Sequence, residues 1–153
     1  MPLSLKTRVI LVILITGLAQ NIRAETEADN LFQQAQTSYD AAQYDSALSK
    51  VQQAVALVPD NSSFQHLLGK CYGRLAEQSN FLAAYSLAKK TRKALERAVE
   101  LDGNNVNALQ DLMEYYRQAP GFLGGSKEKA DKIKAILEAL DTAPEDQGAS
   151  PGF

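Results

Sequence analysis

Residues 44–61 read Tyr44-Asp45-Ser46-Ala47-Leu48-Ser49-Lys50-Val51-Gln52-Gln53-Ala54-Val55-Ala56-Leu57-Val58-Pro59-Asp60-Asn61. The second half of this stretch returns as Leu95-Glu96-Arg97-Ala98-Val99-Glu100-Leu101-Asp102-Gly103-Asn104-Asn105. Both copies follow Ala-Val-x-Leu-x-(Pro or Gly)-x-Asn. Leu48, Val51, Ala54, Val55 and Val58 recur at three- and four-residue steps, which predicts an amphipathic helix. Pro59 stops the first copy, because it lacks an N–H and clashes with the preceding turn. Gly103 is expected to stop the second by accepting a positive φ. A helix that recurs with its own terminator is an architectural unit and carries no reactive group.

Outward from this unit, the N-terminus is a different kind of sequence. Lys6 and Arg8 precede an apolar run from Val9 to Leu18, and small residues follow. A charged start, a short apolar core and a small-residue zone are the parts of a secretory signal peptide. The run is about half of the roughly 20 residues needed to span a bilayer. Residues 1–24 are therefore read as a signal peptide cut after Ala24, with Ala19 the alternative, and the mature chain as periplasmic or secreted. Of 16 basic residues, removal of Lys6, Arg8 and Arg23 leaves 13 against 18 acids, a charge of −5. That balance argues against a nucleic-acid partner, since such binding rests on neutralising phosphates. Membrane contact is expected only if the N-terminal segment is retained.

The mature chain, one domain over 25–140, reads as successive helices. Glu25 to Ala42 is the first, with Leu31, Ala35, Ser38 and Ala42 on its small-residue face. The repeat helix follows after a turn at Gln43, too short for anything but an antiparallel neighbour. Asp60-Asn61-Ser62-Ser63 supplies N-cap chemistry for a helix carrying Leu67-Leu68-Gly69-Lys70-Cys71-Tyr72. Gly69 costs roughly 1 kcal/mol of helix propensity relative to Ala, which makes sense where a neighbouring backbone crosses closely. A long helix from Phe81 to Leu101 has Phe81, Tyr85, Ala88, Leu95 and Ala98 as its expected inner face and Lys89, Lys93 and Arg97 outside. Leu109, Leu112, Met113 and Tyr116 line the next helix. The connection Ala119-Pro120-Gly121-Phe122-Leu123-Gly124-Gly125-Ser126 is expected to fold Phe122 and Leu123 back over the pair. Ser126 is the expected cap of a last helix that turns Ile133, Ile136, Leu137 and Leu140 inward. Residues 141–153 read as a disordered tail.

This pattern resembles the tetratricopeptide repeat (TPR) family, whose unit is a 34-residue helix–turn–helix. In the unit 28–61, Tyr44, Ala47, Ala54 and Pro59 stand at family spacing. The unit 62–105 supplies Leu68-Gly69, Tyr72, Leu95, Ala98 and Gly103, ten residues over length. The unit 106–140 keeps Leu109, Leu112 and Tyr116 and then departs through the glycine-rich connection. The expanded middle unit and that connection look like a small group of exported bacterial TPR proteins. The resemblance implies an all-α, TPR-like stack of three antiparallel helical hairpins. Its implied role is a non-catalytic scaffold binding a protein or peptide partner in a concave groove lined by the first helix of each pair. Two alternatives are a membrane-tethered envelope assembly subunit and a small-ligand carrier using the middle-unit insertion.

Helical spacing names the groove-facing candidates: Phe32, Gln36 and Tyr39 on the first helix, His66, Lys70 and Arg74 on the third, Gln110, Glu114 and Arg117 on the fifth. For each, the plain alternative is a solvated helix face. Some TPR modules capture a C-terminal carboxylate with Lys and Asn, but Phe32 and Gln36 occupy the first-unit positions here. His66 and Cys71 are five apart, off any shared helical face, and with one His and one Cys in the chain no metal site is expected. His66 alone makes no triad, so no enzyme activity and no cofactor are expected. Gly121 to Lys127 superficially resembles a phosphate-binding loop, but that motif needs Gly before its Lys and Ser or Thr after it. The basic stripe Lys89, Lys90, Arg92, Lys93 and Arg97 is interspersed with Glu96 and Glu100 and reads as a solvated face.

Overall fold

Between its breakers the chain is rich in Ala, Leu, Gln, Lys and Glu, which lose little side-chain freedom in a helix. The computed structural model accordingly contains, over the described residues 5–142 (side chains from residue 20), helices and turns and no strand. The helices are α1 (Leu5–Asp40), α2 (Tyr44–Leu57), α3 (Ser62–Glu77), α4 (Phe81–Leu101), α5 (Val106–Gln118) and α6 (Lys127–Thr142), with a 3-10 turn at Gly121–Leu123. α1 packs on α2, α3 on α4 and α5 on α6, while α2–α3 and α4–α5 contacts join the successive pairs. α1 also touches α3, and α3 touches α5. The described chain is all-α, a run of successively packed helix pairs.

Several boundaries differ from the sequence expectation. α1 is continuous from Leu5, where a helix beginning at Glu25 was expected, because no breaker lies between the apolar run and the first Ala/Gln-rich turns. Ala42 leaves the helix with φ 57° and is exposed, so it belongs to the turn and not to the packed face. Gly103 has no positive φ. α4 ends instead at Asp102, in extended backbone, whose carboxylate accepts from the Asn104 N–H at 2.9 Å. α6 runs on to Thr142, two residues past the expected end of the domain. The expected tail beyond it, like residues 1–4 of the expected signal segment, lies outside the described residues.

Capping follows the chemistry of the turn residues. Asn61 accepts from Phe64 N–H, Asn80 from Ala83 N–H and Asn105 from Ala108 N–H, each at 3.1 Å, and Ser126 from Lys129 N–H at 3.3 Å. Asn105 also donates to Ser62 Oγ, which in turn donates to the Ala98 carbonyl, both at 2.8 Å. One hydroxyl thus ties the start of α3, the end of α4 and the cap of α5.

Two sets of apolar contacts are joined by a seam of small residues. Ala28, Ala35, Ala47, Val51, Ala54, Phe64, Leu67 and Cys71 are buried where α1, α2 and α3 meet. Leu95, Leu109, Leu112, Tyr116, Ala130 and Ile133 are buried between α4, α5 and α6. Between them α3 presents Gly69 and Gly73, and α4 presents Thr91, Ala94, Leu95 and Ala98. This seam corrects the expected inner face of α4. Phe81 is 77% exposed and Tyr85 39%, because the helices meet on the side that lets their axes come close. Ile136 of α6, also expected inside, is 44% exposed.

A Cβ at Gly69 would lie 2.9 Å from the Cγ and Cδ2 of buried Leu95 and 3.4 Å from its backbone N, whereas one at Gly73 would rest 3.7 Å from Thr91. Gly69→Ala should therefore destabilise the fold by about 1–2 kcal/mol, overpacking outweighing the gain in helix propensity. Gly73→Ala should be neutral or stabilising by up to about 1 kcal/mol. Urea denaturation of the two variants, with equal m-values, measures the difference.

Candidate functional site

α1, α3 and α5 lie side by side, so the residues they turn away from α2, α4 and α6 share one face. A cavity of about 400 Å³ on that face is lined by Phe32 and Gln36 of α1, His66 and Lys70 of α3, and Gln110 and Asp111 of α5, with Ser63, Leu67, Asn105 and Asn107. An adjoining cleft of about 620 Å³ is lined by Tyr39, Lys70, Arg74, Glu77, Asp111, Glu114, Tyr115 and Gln118, with the Gly69–Leu95 seam at its floor. Lys70 and Asp111 belong to both, which makes them one continuous groove. Eight of the nine residues named from helical spacing lie along it. Arg117 does not: it borders a separate cleft with Met113, Lys127, Ala130, Asp131 and Lys134, and pairs with Glu114 at 3.6 Å.

The groove has walls of unlike character. Phe32 stacks on the core residue Phe64 with ring centroids 4.8 Å apart, so only part of it faces the groove. Lys70 Nζ sits 4.7 Å above the Tyr39 ring, a cation–π contact. Arg74 Nε donates to the Tyr39 hydroxyl at 3.3 Å and Nη1 to Glu77 at 3.0 Å. Burial raises the Tyr39 hydroxyl pKa, with the Arg74 cation opposing it, so the phenol stays neutral. Bonding to Tyr39 and Glu77 raises Arg74 further, which keeps it cationic. Across the groove His66 Nε2 lies 2.6 Å from Asp111 Oδ2, clamping α3 to α5. The α3 wall is thus cationic, and the α5 wall, with Asp111 and Glu114, acidic. Such a surface can hold an extended dipolar segment by charge-assisted hydrogen bonds. It shows no nucleophile–base pair.

Sequence reading missed Asp111, Asn107 and Gln118. The signal was present, since Asn107, Asp111, Glu114 and Gln118 form a polar stripe at helical steps, whereas Gln110-Glu114-Arg117 drifts toward α6. Among the described residues no group of three or more His, Cys, Asp or Glu side chains is placed to hold a metal ion. The glycine-rich connection follows α5 and leads into α6, the wrong context for a phosphate loop. Gly124 takes φ 92°, and a Cβ at Gly125 would stand 1.7 Å from the Ala119 carbonyl oxygen. Leu123 is half-buried, and its carbonyl accepts from the Tyr115 hydroxyl at 3.0 Å. Phe122, expected to fold back over the pair, is 68% exposed and meets only the rim, stacking on Tyr85 at 6.3 Å.

No family profile and no curated protein matches this sequence. Among solved structures the fold is similar to an Arabidopsis OM64 TPR domain, with a TM-score of 0.49 and 13% identity, over 76% of this chain and 98% of that one. A likeness of that degree says nothing about what the groove holds.

Cys71 lies in the core between α1, α2 and α3, fully buried, and burial pushes its thiol up to about 12. In the unfolded chain it ionises near its ordinary value of about 8.5. Above that pH the unfolded state sheds a proton that the folded state keeps, so stability falls as pH rises toward 12, by up to about 1.4 kcal/mol per unit. Cys71→Ala should flatten the portion of the decline that begins before tyrosine titration. Chemical denaturation between pH 8 and 11, compared for wild type and variant, checks this.

Proposed function

We propose that the chain is an exported scaffold of three TPR units that holds an extended segment of a partner protein in the groove of α1, α3 and α5. The observation that carries this reading is the convergence of Phe32, Gln36, Tyr39, His66, Lys70, Arg74, Gln110 and Glu114, from three helices far apart in sequence, on one continuous concavity. A single helix pair cannot bury its apolar side, so pairs stack and leave such a surface. The groove offers polar and charged groups in place of an apolar hole, which favours a peptide with side chains of both signs over a small apolar ligand. Its acidic residues belong against Lys70 and Arg74, its basic ones against Asp111 and Glu114. The reading needs no bound group and no reaction.

Export rests on the N-terminal sequence: Lys6 and Arg8, the apolar run to Leu18, and small residues at Gly17, Ala19 and Ala24. No described helix is long and apolar enough to cross a membrane. Mass spectrometry of protein from the native envelope should find an N-terminus at Gln20 or Glu25. An intact Met1 would favour the tethered alternative.

For the groove, a photo-crosslinking amino acid placed at Gln36 or Gln110 should trap a discrete partner in the native compartment. Lys70→Glu with Arg74→Glu should abolish that adduct, about a tenfold or greater loss of affinity, while leaving the helical circular dichroism intact. Adducts that persist in the double variant, or that form only from the outer face of α4, would move the site elsewhere.

A further inference from the structure

Away from the groove, the first turns of α4 and the 3-10 turn put large apolar side chains into solvent, with little packed over them among the described residues. Phe81 is 77% exposed, Leu82 80% and Phe122 68%, and Phe122 stacks on the half-exposed Tyr85. Phe81, Leu82 and Phe122 line neither the groove nor the cleft beside Arg117. They protrude, beside a cleft of about 590 Å³ that Tyr85, Lys89, Lys90 and Lys93 line with Ser86, Arg92 and Glu96.

Farther along α4 the surface turns cationic. Phe81, Tyr85, Lys89 and Lys93 follow one another at four-residue steps, a line about 18 Å long that winds about a third of a turn around α4, with Leu82 on its flank and Lys90 farther round. Charge pairing does not neutralise these lysines. Among the described residues Lys89, Lys90 and Lys93 make no ion pair, whereas Lys127, Lys129, Lys132 and Lys134 of α6 all do. The two glutamates of the stripe are held by its arginines and by Tyr116: Glu96 pairs with Arg92 at 3.5 Å and accepts from the Tyr116 hydroxyl at 2.6 Å, and Glu100 pairs with Arg97 at 3.4 Å. Lys89 and Lys90 lie 5.4 Å from the rings of Tyr85 and Tyr72, leaving their ammonium groups at the surface.

We propose that this tip of the molecule docks on an anionic lipid bilayer, inserting Phe81, Leu82 and Phe122 at the headgroup boundary while Lys89, Lys90 and Lys93 meet the lipid phosphates. Protruding apolar residues beside unpaired cations are the complement of a surface that is apolar within and negative at its boundary. A second copy of the chain fits less well, because a two-fold contact through this face sets lysine against lysine. An acidic protein partner would satisfy the lysines but offers no reason for three unseated apolar tips.

The chain contains no tryptophan, so a single Trp reports its own site. Full-length Leu82→Trp is mixed with vesicles rich in phosphatidylglycerol or made of phosphatidylcholine alone. Its emission should shift to the blue, and be quenched by brominated acyl chains, with the anionic vesicles only. Val106→Trp, on the partly exposed first residue of α5 at the opposite end of the 21-residue α4, should stay unshifted. This separates docking by the tip from any binding through residues 1–24. Adding Lys89→Glu and Lys93→Glu to the Leu82→Trp chain should weaken partition by at least tenfold, at about fivefold per lysine. The proposal is overturned by an unshifted Leu82→Trp on vesicles that bind the chain, or by a shift indifferent to the charge reversal. It is overturned equally by lipid-free self-association that Leu82→Ser abolishes in sedimentation, or by a shift induced by a polyglutamate peptide and not by vesicles.

Discussion

The closeness of α3 and α4 is the constraint on which the rest of the molecule depends. Gly69 has no side chain, so the α4 backbone at Leu95 comes within contact distance of it, and Leu95 reaches past into the second apolar set. With a larger residue at 69, α4 would stand off and the two sets of buried residues would be separate, each too small to be stable alone. The axis spacing also fixes how α5 sits against α3, and through it the width of the groove. The Ser62–Asn105 bonds and the His66–Asp111 pair act on the same joint from its two sides, one at the helix ends and one across the concavity.

The polar surface is divided between two jobs. Much of it is structural: asparagine caps, the Arg97 contacts to Asp60 and Glu100, and the ladder of lysine–carboxylate pairs along α6. Exposed pairs of this kind contribute little to stability, and they cancel charge locally. On the α3 wall of the groove Arg74 pairs with Glu77, while Lys70 beside it, like Lys89, Lys90 and Lys93 on α4, makes no ion pair among the described residues. Arg92 shows how tightly this side of α4 is filled: its Nε is buried with no hydrogen-bond partner among the described residues, and a Cβ at Gly124 would lie 2.9 Å from its side chain.

The fold was largely legible in the sequence because breakers and caps speak locally. Pro59, Asn61 and Ser126 mark helix ends by their own backbone chemistry, and Gly69 announced a close crossing before any neighbour was known. What failed was the assumption that large apolar residues face inward. On α4 the packed side carries Thr91, Ala94 and Ala98, and the aromatics Phe81 and Tyr85 face out, which no periodicity of hydrophobicity reveals. Gly103 failed for a related reason, since an Asp102 side chain can turn the chain without a positive φ. The groove was legible on α1 and α3, where the stripes are clear. On α5, where Leu109, Leu112 and Tyr116 set the packed side, polar residues occupy most of the remaining circumference and the choice among them missed by part of a turn.

The loop between α5 and α6 inverts the usual relation between exposure and tolerance. Gly125 has the Ala119 carbonyl where any side chain would begin, and Gly124 holds a left-handed backbone against Arg92. A surface connection is thereby frozen as firmly as an interior position, while the tip of α4 just beside it is free of every demand the fold makes. In a set of divergent homologues, the glycines of this loop should be the slowest letters to drift, whereas packing alone sets no requirement for bulky oily residues at 81 and 82.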